Sequence, residues 1–103
     1  MILVVFRSRL SAKLTDYESA EYKILDARMD KLIVKIPGYI SHKSFKSIDD
    51  EEVVIAEFET EEALRRWSSH PDHVSAKRKG NEIYLAEYRI QVCSVLRDTT
   101  DHK

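Results

Sequence analysis

Trp67, His70, Asp72 and His73 crowd into the stretch WSSHPDHVSAKRKG (67–80), which holds the chain's only Trp and two of its four His. Metal binding is the first chemistry those types suggest, because His70 and His73 would share a face on an unbroken helix. Pro71 stands between them, and Pro is most comfortable in a first helical turn, which leaves His70 at or before the cap. The rings then need not converge, Asp72 points elsewhere from His73, His42 belongs to a distant strand, and zinc asks for a third ligand. No metal site is expected. Proton transfer is the second chemistry, since His titrates near neutrality. Trp67 offers a flat apolar wall for an aromatic ligand, and Arg7 or Arg9 could hold an oxyanion. These types would suit proton abstraction from an acidic aromatic or polyketide-like molecule. The plainer alternative is structural: Trp67 in the core, His70 as a cap, His73 on a surface or half-buried helix. The residues alone favour that alternative.

The elements that must position these side chains are bounded by composition. A chain of 103 residues, 43% hydrophobic and 34% charged, makes one domain with a packed core and a polar surface. The net charge of -1 supplies no basic excess for a phosphate backbone, so a nucleic-acid partner is not expected. The apolar start MILVVF is followed at once by arginines. It is far shorter than the about 20 apolar residues of a membrane span, and its charges stand on the wrong side for a signal peptide. The lone Cys93, in a strand-like segment, fits a reducing compartment. A cytoplasmic protein that does not enter a membrane is expected. Lys77-Arg78-Lys79 ends a helix, where cations oppose the dipole.

Along the chain, residues 2–10 alternate, with Val4, Phe6 and Leu10 on one face and Arg7 and Arg9 on the other. TDYE (15–18) matches a capping box and predicts a helix to about Lys35. Its apolar stripe is Tyr22, Leu25, Met29, Leu32, Ile33 and Ile36, with Tyr17 and Ile24 on the far side, free to meet a second surface. Pro37-Gly38 stops it. YISHKSFKS predicts an irregular strand in which Tyr39, Ser41 and Phe45 alternate with Ile40, His42 and Ser44. IDDEE predicts a turn and VVIAEFE (53–59) the hairpin partner. Thr60 caps EEALRRW, and Pro71 restarts a short helix from about Asp72 to Lys79 that Gly80 closes. Asn81 could cap one more turn before the last strand. There Tyr88, Ile90, Val92 and Leu96 face one way and Arg89, Gln91 and Cys93 the other. The order β-α-β-β-α-β is ferredoxin-like α+β, an antiparallel sheet with its helices on one face. Residues 1–98 form the domain and 99–103 a polar tail. The last strand is long enough to overhang its sheet, and the second sheet face carries apolar residues. A homodimer would cover both.

PGYISHKSF, then VVIAEFETEEALRRWSSHPDH, then KGNEIY and YRIQVCSVLRD resemble, in that order, the antibiotic biosynthesis monooxygenase (ABM) domain, most of all its small stand-alone bacterial members. The block from Thr60 to Gly80 is the most specific part. The resemblance implies a dimeric α/β barrel, two ferredoxin-like protomers packed sheet to sheet, with a ligand cavity between sheet and helices. Some members oxygenate aromatic polyketides or quinols with O2 and neither metal nor flavin, the deprotonated substrate supplying the electrons. Others degrade haem, and fold alone does not choose. The leading expectation is a cofactor-independent monooxygenase of an electron-rich aromatic, quinol or polyketide-like substrate. The alternatives are a non-catalytic ligand-binding or stress-related dimer and a haem-degrading enzyme. Trp67 and His73 are the expected catalytic residues, with Arg7 holding the anion and Trp67, Phe58 and His70 meeting the substrate. Phe58 replaces a Trp common in relatives at the end of strand three. The haem branch carries an Asn in strand one, where this chain has Arg7, and a ligating His near Lys77. His73, about one turn earlier, could substitute.

Overall fold

The computed structural model describes residues 1–102, which run β1 (Ile2–Leu10), α1 (Asp16–Ile33), β2 (Tyr39–Lys46), β3 (Glu52–Phe58), α2 (Glu61–Ser68), α3 (Pro71–Lys79) and β4 (Leu85–Ser94). A π-helical turn, Gly80–Tyr84, joins α3 to β4. The sheet order is β2-β3-β1-β4, antiparallel throughout, and the fold is ferredoxin-like α+β. Of the tail expected at 99–103, Thr99–His102 hold no regular structure and Lys103 lies outside the described residues.

Local chemistry sets the helix starts. The Thr15 hydroxyl accepts from the Glu18 amide at 3.1 Å while the Glu18 carboxylate accepts from the Thr15 amide at 2.9 Å, so two otherwise unpaired donors are satisfied. Thr60 accepts from the Ala63 amide at 3.1 Å and opens α2. His70 caps α3, its Nδ1 accepting from the Asp72 amide at 3.2 Å, with Pro71 in the first turn. Helix α1 ends at Ile33, earlier than Lys35, and the chain turns through Gly38 at φ +90°. A side chain there would be strained, and its Cβ would stand 2.5 Å from the Cβ of the fully buried Ala63. Gly38 thus lets α2 dock on the α1–β2 joint, where Arg66 also donates to the Pro37 carbonyl at 3.1 Å.

The apolar stripe of α1 and the inner face of α2 cover one side of the sheet. Ile33, Ala56, Phe58, Ala63 and Trp67 form the buried cluster, with Met29, Leu32, Ile36 and Leu64 against it. Burying an aromatic or large aliphatic side chain of this kind stabilises a fold by about 1.5–3 kcal/mol each. Tyr17 and Ile24 lie exposed on the far side of α1.

Three local expectations are corrected. Strand β4 does not overhang: it pairs with β1 along its whole length, from Ser94 opposite Ile2 to Leu85 opposite Leu10. Long β1 supplies a partner for every residue but Ala86 at a bulge, and the Val95 amide still donates to the Met1 carbonyl at 3.2 Å before the chain leaves the sheet. Helix α3 ends at Lys79 with Gly80 as its C-cap, as expected, but Gly80 keeps a right-handed backbone at φ -56° and the expected cap at Asn81 is not formed. The wider π turn that follows carries the fully buried Tyr84 onto α1, where its ring lies 5.4 Å from Tyr22 and its hydroxyl donates to Glu21. Tyr39 and His42 do not sit on opposite faces. An irregularity in register between Tyr39 and Ser41 adds a residue and brings both rings to the same side.

Candidate active site

Between the helices and the inner face of the sheet lies a cavity of about 530 Å³. Alternation sends Val4, Phe6 and Ser8 of β1 into it, and Val54, Ala56 and Phe58 of β3 beside them. Trp67 of α2 and His73 of α3 form its far wall, Tyr22, Asp26 and Met29 of α1 its roof.

Pro71 folds α3 back on α2 so that the His73 imidazole stacks on the Trp67 indole, ring centroids 4.1 Å apart and planes 18° from parallel. His73 Nδ1 lies 3.1 Å from the Trp67 carbonyl oxygen. A carbonyl only accepts, so Nδ1 carries the proton and Nε2 keeps its lone pair. Nε2 has no hydrogen-bond partner among the described residues. Burial, then the charge of Lys77, pull His73 down to about 4, against the smaller opposing pull of the Trp67 carbonyl. The ring is therefore neutral near neutral pH, a proton acceptor set beside an aromatic wall.

A second polar group lines the α1, β2 and β3 side. His42 bridges Asp30 (Nε2 to Oδ1, 3.0 Å) and the Tyr39 hydroxyl (2.6 Å from Nδ1). An ionised Asp30 accepts from Nε2–H, and the Tyr39 hydroxyl then donates to Nδ1 of a neutral ring. Tyr22 donates to Glu52 at 3.4 Å. The Asp26 carboxyl is held above its usual range by desolvation and by its neighbours Asp30 and Glu52, with His42 opposing. The same desolvation and the Glu52 charge raise the Tyr22 phenol. One end of the cavity is thus acidic, the other holds the imidazole and Lys77.

Of the expected site residues, Trp67, His73 and Phe58 border the cavity, Phe58 from beneath with no exposed surface of its own. His70 does not, since its ring is spent on the α3 cap. Arg7 does not either. It alternates with Phe6 and Ser8, so it leaves the sheet on the opposite face, where its guanidinium pairs with Glu51 at 3.0 Å. Its own alternation already placed it across the sheet from Phe6, which was the signal against it. Asp26, Asp30, His42 and Tyr84 were not expected at the site, and Lys77 was placed there only by the family resemblance, near the ligating His of the haem branch. The carboxylates flank the apolar stripe of α1 at helical spacing, a detectable pattern, whereas His42 depended on the irregular pairing and Tyr84 on the π turn.

The sequence model of the family described as antibiotic biosynthesis monooxygenase matches residues 1–79. The chain belongs to this family. Among curated proteins, this ABM chain is 30% identical over 95 residues to the uncharacterized protein YqjZ of Bacillus subtilis strain 168, which spans 91% of this chain and 78% of that one. Among solved structures, SnoaB, a cofactor-independent oxygenase from Streptomyces nogalater, superposes with a TM-score of 0.76 at 18% identity over 97% of each chain. A dimeric ferredoxin-like protein of unknown function from Thermobifida fusca superposes with a TM-score of 0.70 at 16% identity, over 91% of this chain and 90% of that one. At those identities the likeness is one of fold. No helix among the described residues is long and apolar enough to cross a membrane.

Proposed function

We propose that this ABM protein is a cofactor-independent monooxygenase acting on an electron-rich aromatic, quinol or polyketide-like substrate with O2. The observation that carries the reading is the neutral His73, stacked on Trp67 with Nε2 free, on the wall of a largely apolar cavity. A flat substrate lies beside Trp67 and His73, with the fully buried Phe58 beneath the cavity floor. His73 Nε2 takes the proton of its acidic hydroxyl or enol, and the resulting anion is the electron donor to O2. For a phenol the sum balances without another reductant: one ring C–H and the O–H are lost, one oxygen atom enters as the new carbonyl, and the other leaves as water. The apolar lining shields the reacting ring from water on the helix and sheet sides.

Haem fits these residues poorly. The strand-one side chain at the place of the family's Asn is Arg7, which leaves the cavity altogether. Lys77 stands where the ligating His is expected. No step is routed through haem.

The proposal includes a homodimer packed sheet to sheet. Leu3, Val5 and Ile55 share the face away from the helices, with Arg7, Arg9 and Glu57 around them, and no helix or strand among the described residues lies over it. Leu96, beyond β4, is 96% exposed. The dimeric Thermobifida fusca relative agrees with this reading.

Oxygen uptake with a panel of hydroquinones and naphthols tests the activity. Turnover that falls at least about 100-fold in His73→Ala is expected for loss of a proton acceptor. Uptake equal in wild type and in the Trp67→Ala, His73→Ala double variant would refute it. Ligand-induced thermal shifts without oxygen consumption would favour the non-catalytic binding dimer instead.

A further inference from the structure

The cavity has a proton acceptor, but the cation expected to hold the resulting anion, Arg7, lies on the other face of the sheet. The cationic side chains that do line the cavity are Lys46, at the end of β2, and Lys77 of α3. Lys77 is four residues beyond His73 and so on the same side of α3, one turn along. Its charge acts on the His73 ring. Among the described residues it has no carboxylate partner, although the helix ends in Lys-Arg-Lys and acidic side chains abound elsewhere. Arg65 and Arg66 of α2, by contrast, each pair with a Glu one turn back.

We propose that Lys77 is the anion-holding residue of this cavity, so that the preferred ligand is an acidic phenol or enol bound as its mono-anion, with the oxygen between the Lys77 ammonium and His73 Nε2. The step is a plain proton transfer. The ligand O–H bond breaks, the N–H bond forms at Nε2, and the oxyanion that remains pairs with the ammonium. A ligand already ionised in solution needs no transfer and accepts a hydrogen bond from Lys77 directly. The carboxylates Asp26, Asp30 and Glu52 stand at the other end, on α1 and β3, with His42 and Lys46 of β2. That end repels an anion and orients it, so the oxygen goes toward α3 and hydrogen-bond donors of the ligand toward α1. The ammonium beside His73 adds to the burial that keeps the imidazole neutral, and it leaves a positive charge at the α3 end of the cavity for an anion to meet. This assignment deepens the proposed oxygenase reading, but it concerns binding alone and is tested without oxygen.

The probe is 4-nitrophenol under anaerobic conditions. Its colour reports phenol against phenolate, and Trp67, the only Trp of the chain, reports occupancy of the cavity by its fluorescence. Wild type should bind the phenolate and lower the apparent pKa of the bound probe. Lys77→Met should weaken phenolate binding about five- to tenfold, the reduced worth of a charge-assisted bond at a partly exposed site, and abolish the pKa change. Lys77→Arg should keep both, and Arg7→Met should leave both unchanged. In the same Lys77→Met protein the His73 ring, followed by NMR, should titrate at higher pH than in wild type, because the Lys77 charge is among the causes that lower it. Equal phenolate binding in wild type and Lys77→Met, or its loss in Arg7→Met, overturns the assignment. Failure of every phenol to consume O2 while Lys77-dependent binding persists removes the oxygenase reading and leaves this one standing.

Discussion

Replacing His73 by Phe should flatten the loss of stability in acid. The wild-type ring is neutral when folded and titrates at about 4, whereas an unfolded His titrates near its ordinary value of 6.5. Its folded-state value is lowered, so on acidification the unfolded chain takes up the proton first. Stability is therefore full above about pH 6.5 and falls as pH drops toward 4, with the unfolded state binding more protons throughout that window. At about 1.36 kcal/mol per pH unit, His73 alone removes about 3 kcal/mol by the lower limit, an order-of-magnitude figure. The Phe variant gives up the bond to the Trp67 carbonyl and starts less stable by about 1 kcal/mol near neutral pH. It keeps an aromatic ring against the indole, and it has no proton to gain. Urea unfolding followed by Trp67 fluorescence, at both ends of the window, yields the double difference, in which every carboxylate common to the two proteins cancels. The expected result is that the wild type's advantage shrinks or reverses in acid by about 2–3 kcal/mol. Parallel acid losses in the two proteins would show that the ring is not held neutral by burial, and the account of His73 as a buried neutral imidazole would fall with it.

Gly38→Ala combines a left-handed backbone with a Cβ 2.5 Å from Ala63, and should cost at least about 2 kcal/mol, seen as a lower urea midpoint with an unchanged slope. Trp67→Leu should cost about 2–4 kcal/mol and let the His73 ring titrate closer to 6.5 by NMR, because the stacked wall that desolvates it is thinned. Val5→Glu places a charge at the centre of the uncovered sheet face. Light scattering at micromolar concentration should show a dimer for wild type and a monomer for the variant, with near-unchanged circular dichroism. A wild-type monomer would sink the sheet-to-sheet assembly.

The amino-acid sequence by itself determined where the helices start and which faces α1 and β1 bury. Thr15, Thr60 and Pro71 carry their signals within a single turn, since a cap needs only the next two or three amides. The apolar periods of α1 and β1 likewise follow from spacing alone. That Arg7 leaves the cavity was legible too, one residue from Phe6 on a two-residue period. Tertiary structure decided the rest. Trp67 and His73 meet face to face because Pro71 turns α3 back on α2, and the depth of burial that lowers His73 is a property of the whole cavity. His42 reaches Asp30 and Tyr39 through an extra residue in the β2 register, which depends on how β3 pairs. Tyr84 swings onto Tyr22 through a π turn that no local propensity predicts. Lys77 looked like a helix-end cation by its residue type, the resemblance set it near a ligand position, and its standing as one of two cations that line the cavity came from the tertiary structure. Burial, register and charge proximity are sums over residues distant in the chain, and those sums made a capped helical joint, WSSHPDHVSAKRKG, one wall of a cavity.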